Sequence, residues 1–369
     1  MIRILQVVTY MGRGGLETML MNYYRHIDRS QLQFDFLTHR DFKADFDDEI
    51  EELGGRIYHL PALNPISGGY LKKLNTFFDE HPEYQVIHVH QDCLSSVILK
   101  VAKQHGVRVR IAHSHCANQD YNLKYLIKLL YKQYIPRYAT ALLACSDEAG
   151  KWMFHGAPFQ VLNNAINAKE YIIDPDKRHR VRKEIGIVPT DILVGHVGRF
   201  SPQKNHVYLI DIFAEVQKRA TAKLILVGQG ELQDHIKEKV NRLGLSDKVI
   251  FTGLRTDVAD LMQAMDVFVM PSNYEGLPVT MIEAQAAGLP CLISDKVPIE
   301  CKKTDLVHQI PLSADAKIWA QAVLDQAHMQ HRNTYEEIRL AGFDIVENAY
   351  RLQNYYMRAM SGESDLCLY

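Results

Sequence analysis

The run Val267-Phe268-Val269-Met270-Pro271-Ser272-Asn273-Tyr274-Glu275-Gly276-Leu277-Pro278-Val279-Thr280-Met281-Ile282-Glu283-Ala284 contains three kinds of chain in a row. It opens as a short apolar strand, passes through a polar loop, and continues as a helix. Pro278 suits the first turn of that helix and Gly288 its end. A buried strand feeding a helix is half of a βαβ unit, and open α/β sheets bind ligands beyond the carboxyl ends of their strands. The free N–H groups at the start of such a helix favour an anion. Glu275 falls in the loop and Glu283 about a turn and a half into the helix, so both can face one ligand and accept sugar hydroxyls at two points. The plainer alternative is one acid favoured by the helix dipole and one exposed mid-helix acid.

The same pattern recurs along the chain. Short apolar runs at 2–8, 34–38, 56–60, 85–90, 108–113 and 141–146 form one series, and those at 192–197, 223–227, 249–252, 266–271 and 290–294 form a second. Gaps of helix length between them predict parallel sheets, and two series predict two α/β domains. The length of 369 residues agrees, at roughly 150 residues per domain. The expected division is residues 1–165, a polar linker at 166–190, a second domain at 191–340, and a terminal helical segment at 341–369. No internal repeat is visible.

Composition narrows the function. The net charge of -2 disfavours a dedicated nucleic-acid binder. Six cysteines without CxxC spacing fit reduced thiols in a cytoplasm better than a disulfide framework or a zinc ribbon. No stretch approaches the ~18 apolar residues of a membrane span, and the first residues lack a signal-peptide core.

Other motifs also stand just after strands. Gly12-Arg13-Gly14-Gly15-Leu16-Glu17 follows the first strand and opens a helix. Its glycines let backbone approach a ligand, but Glu17 stands where a dinucleotide fingerprint needs a third glycine; a plain tight turn is the alternative. Gly198-Arg199-Phe200 through Lys204 sets two cations at the mouth of a strand, a pair suited to a diphosphate; two solvated surface charges are the alternative. The Walker pattern is absent, because Gly150-Lys151 is followed by Trp152. His88, His90, His113 and His115, with Cys116, invite a metal reading. The HxH pairs lack a carboxylate partner at a clear spacing, so His113 reads better as a polar contact for substrate and His88 as a packed residue. Asp45-Phe46-Asp47 and Asp174-Pro175-Asp176 match DxD, but neither directly follows an apolar strand. No metal site is expected.

Together these residues resemble the retaining GT-B glycosyltransferases of family four, and most closely their capsule and exopolysaccharide branch. The resemblance covers essentially the whole chain. Its GGxE turn is Gly14-Gly15-Leu16-Glu17, its GR(F/L)xxxK element runs from Gly198 to Lys204, its E-x7-E element runs from Glu275 to Glu283, and Ala112-His113-Ser114-His115 matches its active-site histidine.

The resemblance implies two Rossmann-like domains whose parallel sheets face across a cleft, the first binding an acceptor and the second a nucleotide sugar. Arg199 and Lys204 would neutralise the diphosphate, Glu283 would hold the ribose, and Glu275 and His113 would contact the transferred sugar. Gly276, Leu277 and Pro278 would reach phosphate and sugar through backbone, Gly14 and Gly15 would close on the diphosphate, and Arg255 would lie near the base. The final helix would cross back to the first domain. The expected activity is transfer of a sugar from a nucleotide sugar, UDP-linked, to a saccharide or lipid-linked saccharide, with retention of configuration, without a metal or cofactor, for a bacterial surface polysaccharide. A UDP-sugar 2-epimerase on the same fold and a non-catalytic sugar-nucleotide sensor are the rival readings. One departure is Asp295-Lys296, where many relatives carry a glycine-rich turn with a glutamate.

Residues 100–140 hold Lys100, Lys103, Arg108, Arg110, Lys124, Lys128, Lys132 and Arg137 against a single acid, Asp120. Leu123, Ile127, Leu130 and Tyr134 recur with helical period beside a row of Lys124, Lys128 and Lys132. This predicts a basic amphipathic helix and a cytoplasmic protein docking peripherally on the anionic inner face of a membrane. A core helix with a solvated lysine face is the alternative.

Overall fold

The computed structural model describes residues 1–115, 125–363 and 366–368. The chain divides into two compact units, Met1–Ala165 with Ile345–Tyr369, and Ile166–Asp344. Among the described residues, the first unit holds β1 (Ile2–Val7), β2 (Leu32–Thr38), β3 (Ile57–His59), β4 (Val86–Val89), β5 (Val109–Ser114), β6 (Ala141–Ala144) and β7 (Gln160–Val161), in the order β3-β2-β1-β4-β5-β6-β7. The second holds β8 (Ile192–Val197), β9 (Ala222–Val227), β10 (Val249–Gly253), β11 (Val267–Met270), β12 (Cys291–Ser294) and β13 (Val307–Ile310), in the order β10-β9-β8-β11-β12-β13. Every pairing is parallel.

Each sheet is covered on both faces, which is why its strands are nearly continuous apolar runs. In β1 the alternation sends Ile4 to one core, with Phe34, Val86 and Tyr23, and Leu5 and Val7 to the other, with Ile87, Val89 and Leu74. In the second unit Val267 and Val269 face one core, while Phe268 and Met270 face the other.

The strand order fixes where ligands can bind. The topology reverses between β1 and β4 in the first sheet and between β8 and β11 in the second, and such switch points open a crevice at the carboxyl ends of the strands. The loops after β8 and β11 therefore lie side by side, although about seventy residues of chain separate them.

One expectation about boundaries changes. Residues 166–190 are folded into the second unit and are not a bare linker. They carry the helix Pro175–Glu184, whose N-cap Asp174 accepts hydrogen bonds from the N–H groups of Asp176 and Lys177, both at 3.0 Å. Arg182 Nη1 reaches Asp266 Oδ2 at 3.0 Å, and Arg178 Nη1 donates to the Gln263 and Met265 carbonyls at 2.7 and 2.6 Å. Charge density read as solvent exposure is here a clamp onto Asp266. The terminal helix spans Ile345–Ser361 and packs against the helix Gly15–His26, setting Ala349, Leu352 and Tyr356 in the same core as Phe34.

Among the described residues no helix is long and apolar enough to cross a membrane. In the basic segment the described helix is Tyr125–Lys132, while Leu123 and Lys124 lie outside the described residues. Lys132 does not belong to a solvated row. It is buried, with Nζ 3.9 Å from the Trp152 ring centroid and donating to the Trp152 carbonyl at 2.7 Å. Among the described residues of this segment, the large apolar side chains that face solvent are Leu126 (76% exposed), Ile127, Leu130 and Tyr134.

Candidate active site

In the second unit the loops after β8 and β11 are laced together. Asn273 N–H donates to the Gln203 carbonyl at 2.8 Å, Asn273 Nδ2 to the Pro202 carbonyl at 2.7 Å, and Asn205 Nδ2 to the Pro271 carbonyl at 3.1 Å. Asn205 adopts a left-handed φ of 53° to turn the chain into the helix His206–Gln217. This lacing brings Lys204 to Glu275: Nζ lies 2.7 Å from Oε1, and Gln203 Nε2 donates to Oε2 at 3.0 Å. The Glu275 side chain is only 5% exposed and that of Lys204 14%.

Gly276 follows directly. A Cβ there would meet no atom within 4 Å, and its backbone is not in the left-handed region. Neither packing nor conformation of the chain calls for a glycine, so the space it leaves is available to a ligand. Pro278 caps the helix Val279–Ala286 with no side-chain hydrogen bond, so no side chain of the cap residue competes for its first N–H groups. Leu277 packs partly into the core below. Glu283 is half-buried on this helix; burial lifts its carboxyl to about 7, against a hydrogen bond from the Tyr171 hydroxyl.

The other cations of this unit are arranged differently. Arg199 is 74% exposed and pairs with Glu231, at 3.1 Å from Nη2. Arg255 is exposed and forms a two-point pair with Asp257 at 2.7 and 2.6 Å. Asp295, at the departure from the family pattern, accepts the Leu312 N–H at 2.8 Å and so fixes the following loop.

The sequence reading missed Gly228-Gln229-Gly230. A Cβ on Gly228 would stand 2.2 Å from the Gly198 carbonyl oxygen, and one on Gly230 2.5 Å from that of Phe200. These glycines let the chain after β9 press against the Arg199 turn, and they place Glu231 against Arg199. A GxG immediately after an apolar run was the available signal.

In the first unit Gly14 caps the helix Gly15–His26. A Cβ on Gly14 would lie 2.3 Å from Glu17 Oε2, because the Glu17 carboxylate folds back to accept the Gly14 N–H. Burial raises the Glu17 carboxyl, and the N–H groups of Glu17 and Gly14 oppose that rise. Gly14 thus makes room for a capping acid, whereas Gly15 has no neighbour within 4 Å of a Cβ.

His113 stands at the carboxyl end of β5, one residue before its last, and is buried. Its ring stacks on His88 at 5.1 Å and lies 5.3 Å from His90 and 4.1 Å from His115, centroid to centroid. Period-two spacing puts each pair on one face, and the register Val89↔Ala112 sets His90 beside His113. Burial holds all four imidazoles neutral, with His88 and His115 pushed down to about 3. Neither DxD pair joins such a group: Asp47 accepts the Ala44 N–H at 2.8 Å, and Asp174 is the helix cap described above. Cys93, Cys145, Cys291, Cys301 and Cys367 are unbridged, and Cys116 lies outside the described residues.

The chain is 35% identical over 373 residues to EpsF of Bacillus subtilis (strain 168), whose name makes it a glycosyltransferase, with 96% of each chain covered. The chain belongs to glycosyltransferase family 4. Residues 13–170 match the Glycosyltransferase Family 4 model and residues 177–302 the model of glycosyl transferases group 1. Another family relative is the capsular polysaccharide biosynthesis glycosyltransferase CapH of Staphylococcus aureus, 23% identical over 376 residues, covering 97% of this chain and 99% of that one. In fold the chain resembles HepE of Anabaena, solved in complex with UDP, with a TM-score of 0.78 at 18% identity over 97% and 100% of the two chains. The protein is therefore an α/β glycosyltransferase with the two Rossmann-like domains of the GT-B fold.

Proposed function

We propose that the protein transfers a hexosyl or N-acetylhexosaminyl group from a UDP-sugar to a saccharide or lipid-linked saccharide, with retention of configuration, in the synthesis of a bacterial surface polysaccharide. The observation that carries this reading is the Lys204–Glu275 pair at the switch point of the second sheet, beside Gly276 and an uncapped helix start. Cleaving a sugar–diphosphate bond builds negative charge on the leaving group, and a fixed cation aimed at the phosphates stabilises it. When a donor binds, its diphosphate takes up Lys204 and Glu275 turns to the hydroxyls of the sugar. Arg199, freed from Glu231, adds a second charge; Glu283 holds the ribose and Arg255 lies by the base. His113 and the Gly14-Gly15 turn belong to the first unit, which takes the acceptor.

In the reaction the acceptor oxygen bonds to the anomeric carbon as the bond from that carbon to the phosphate oxygen breaks. The acceptor proton passes to the leaving phosphate. No cofactor enters, and the cations of the chain replace a metal. The relatives' names support the polysaccharide assignment, and the UDP held by HepE supports the choice of donor. The exposed Leu126, Ile127, Leu130 and Tyr134, in a basic segment, support a peripheral contact with anionic lipid, which fits a lipid-linked acceptor made at the inner face of a membrane.

The test offers UDP-hexoses and UDP-N-acetylhexosamines with polyprenyl-diphosphate saccharides, with and without EDTA. Transfer to an acceptor that survives EDTA is the expected result. Epimerisation or hydrolysis of the donor with no transfer to any acceptor, or loss of transfer on chelation restored by Mg²⁺ or Mn²⁺, would overturn it.

A further inference from the structure

His88, His90 and His113 each offer a ring nitrogen, and these three nitrogens lie within 4.8 Å of one another. The grouping follows from pairing: β4 and β5 are parallel neighbours, and the histidines leave the sheet on one face. We propose that these three residues form a binding site for a divalent transition-metal ion of the Zn²⁺ or Co²⁺ class.

The state of His88 and His113 fits that use, and His90 would ligate by giving up one of its two hydrogen bonds. His88 is tethered through Nδ1 to the Tyr356 hydroxyl at 2.6 Å, while its Nε2 has no hydrogen-bond partner. His113 has no partner at either nitrogen. His90 is held by His115 Nε2 at 2.8 Å on Nδ1 and by Gln6 Oε1 at 3.0 Å on Nε2. Holding a ligating imidazole by its other nitrogen is how proteins orient metal-binding histidines, and His88 is arranged in that way. Buried imidazole nitrogens without partners each cost about 1–3 kcal/mol, so three of them on one face are unusual in a core that serves packing alone. In a tetrahedral site with Zn–N near 2.0–2.1 Å, ligand nitrogens stand about 3.4 Å apart, so modest ring rotations close the site.

The donor set decides the class of ion. Imidazoles with no carboxylate among them suit Zn²⁺, Co²⁺, Ni²⁺ or Cu²⁺ and exclude Mg²⁺ and Ca²⁺, which need oxygen ligands. Because one ligand is His113, a bound ion withdraws that side chain from the sugar and inhibits transfer. This consequence rests on the role proposed for His113, whereas the binding does not.

The experiment titrates the metal-stripped full chain with Co²⁺ and follows the visible bands of low-coordinate Co²⁺, then displaces it with Zn²⁺. One Co²⁺ per chain is expected, displaced by Zn²⁺, with affinity lower by about tenfold or more in His88→Asn and in His90→Gln. A far-UV spectrum and a melting temperature of each variant close to those of the wild type show that the unit carrying His88 and His90 is folded. If both variants fail that check, a Zn²⁺-dependent rise in the melting temperature of the wild type, absent with Mg²⁺, decides the matter. No Co²⁺ band, unaltered affinity in the folded variants, or no Zn²⁺-dependent stabilisation overturns the site. Co²⁺ binding with transfer untouched by Zn²⁺ keeps the site and removes the inhibition, and with it the role of His113.

Discussion

Lys204 Nζ lies 2.7 Å from Glu275 Oε1, joining two loops that the sequence separates and the sheet order brings together. Before a donor arrives, the lysine's charge is spent on the glutamate. Under the proposed function, a diphosphate that captures Lys204 would also release Glu275, so that occupation of the phosphate position and readiness of the sugar contact would be one event. The pair is nearly buried, so opening it without a replacement partner costs more than opening a surface ion pair. The exposed Arg199–Glu231 pair opens at little cost.

Gly276 separates ligand from fold. Its backbone is not left-handed and a Cβ would touch nothing, so Gly276→Ala should melt within a degree or two of wild type. The added methyl enters the space assigned to the donor and should weaken UDP-sugar binding by about 1–3 kcal/mol. Melting curves beside a UDP-sugar titration check both halves. A variant that binds donor as wild type does would show that the glycine leaves room for nothing.

Glu283 predicts a pH dependence. Its carboxyl is lifted by burial from 4.5 to about 7, so near neutrality much of the free protein carries it protonated. Ribose hydroxyls donate best to the carboxylate, so UDP affinity should rise with pH through about 7 and then level off, and Glu283→Gln should abolish that rise. Stability runs the other way: a raised carboxyl favours the folded state below 4.5, and that contribution is lost as pH climbs through about 7. Calorimetric titrations of UDP across this range test the sign; an affinity that falls with rising pH would contradict it.

The helix Tyr125–Lys132 predicts a lipid contact made by apolar side chains. Leu126 and Leu130 face solvent, so Leu126→Asp with Leu130→Asp should fold normally yet lose co-sedimentation with anionic vesicles. Lys132→Ala should lower stability, because its ammonium lies against the Trp152 ring. Equal, negligible binding of wild type to anionic and neutral vesicles at low salt would remove the contact.

Much of this architecture was legible because chemistry follows strands. Glu275, Arg199 and Gly14 each lie in the loop that follows an apolar run, so motif and strand identify each other. What stayed hidden depends on neighbours in space. Nothing local tells that β8 lies beside β11, and without that order Lys204 and Glu275 are two unrelated charges. The polar stretch at 166–190 reads as solvated until Asp266 is set against Arg178 and Arg182. Helical period puts Lys132 in a row with Lys128, yet Trp152 draws it inward. His113 is picked out by its motif at the end of a strand, but its burial among three other histidines depends on the β4–β5 register.

The coupling of Lys204 to Glu275 is tested most directly by calorimetric titration of UDP into wild type, Lys204→Ala and Glu275→Gln. Lys204→Ala should lose about 1.5–3 kcal/mol of UDP affinity, the worth of a charge-assisted bond. Glu275→Gln should bind UDP at least as tightly as wild type, because it removes the competitor for the lysine, while transfer collapses. UDP affinity unchanged in Lys204→Ala, or lost equally in both variants, would contradict the account.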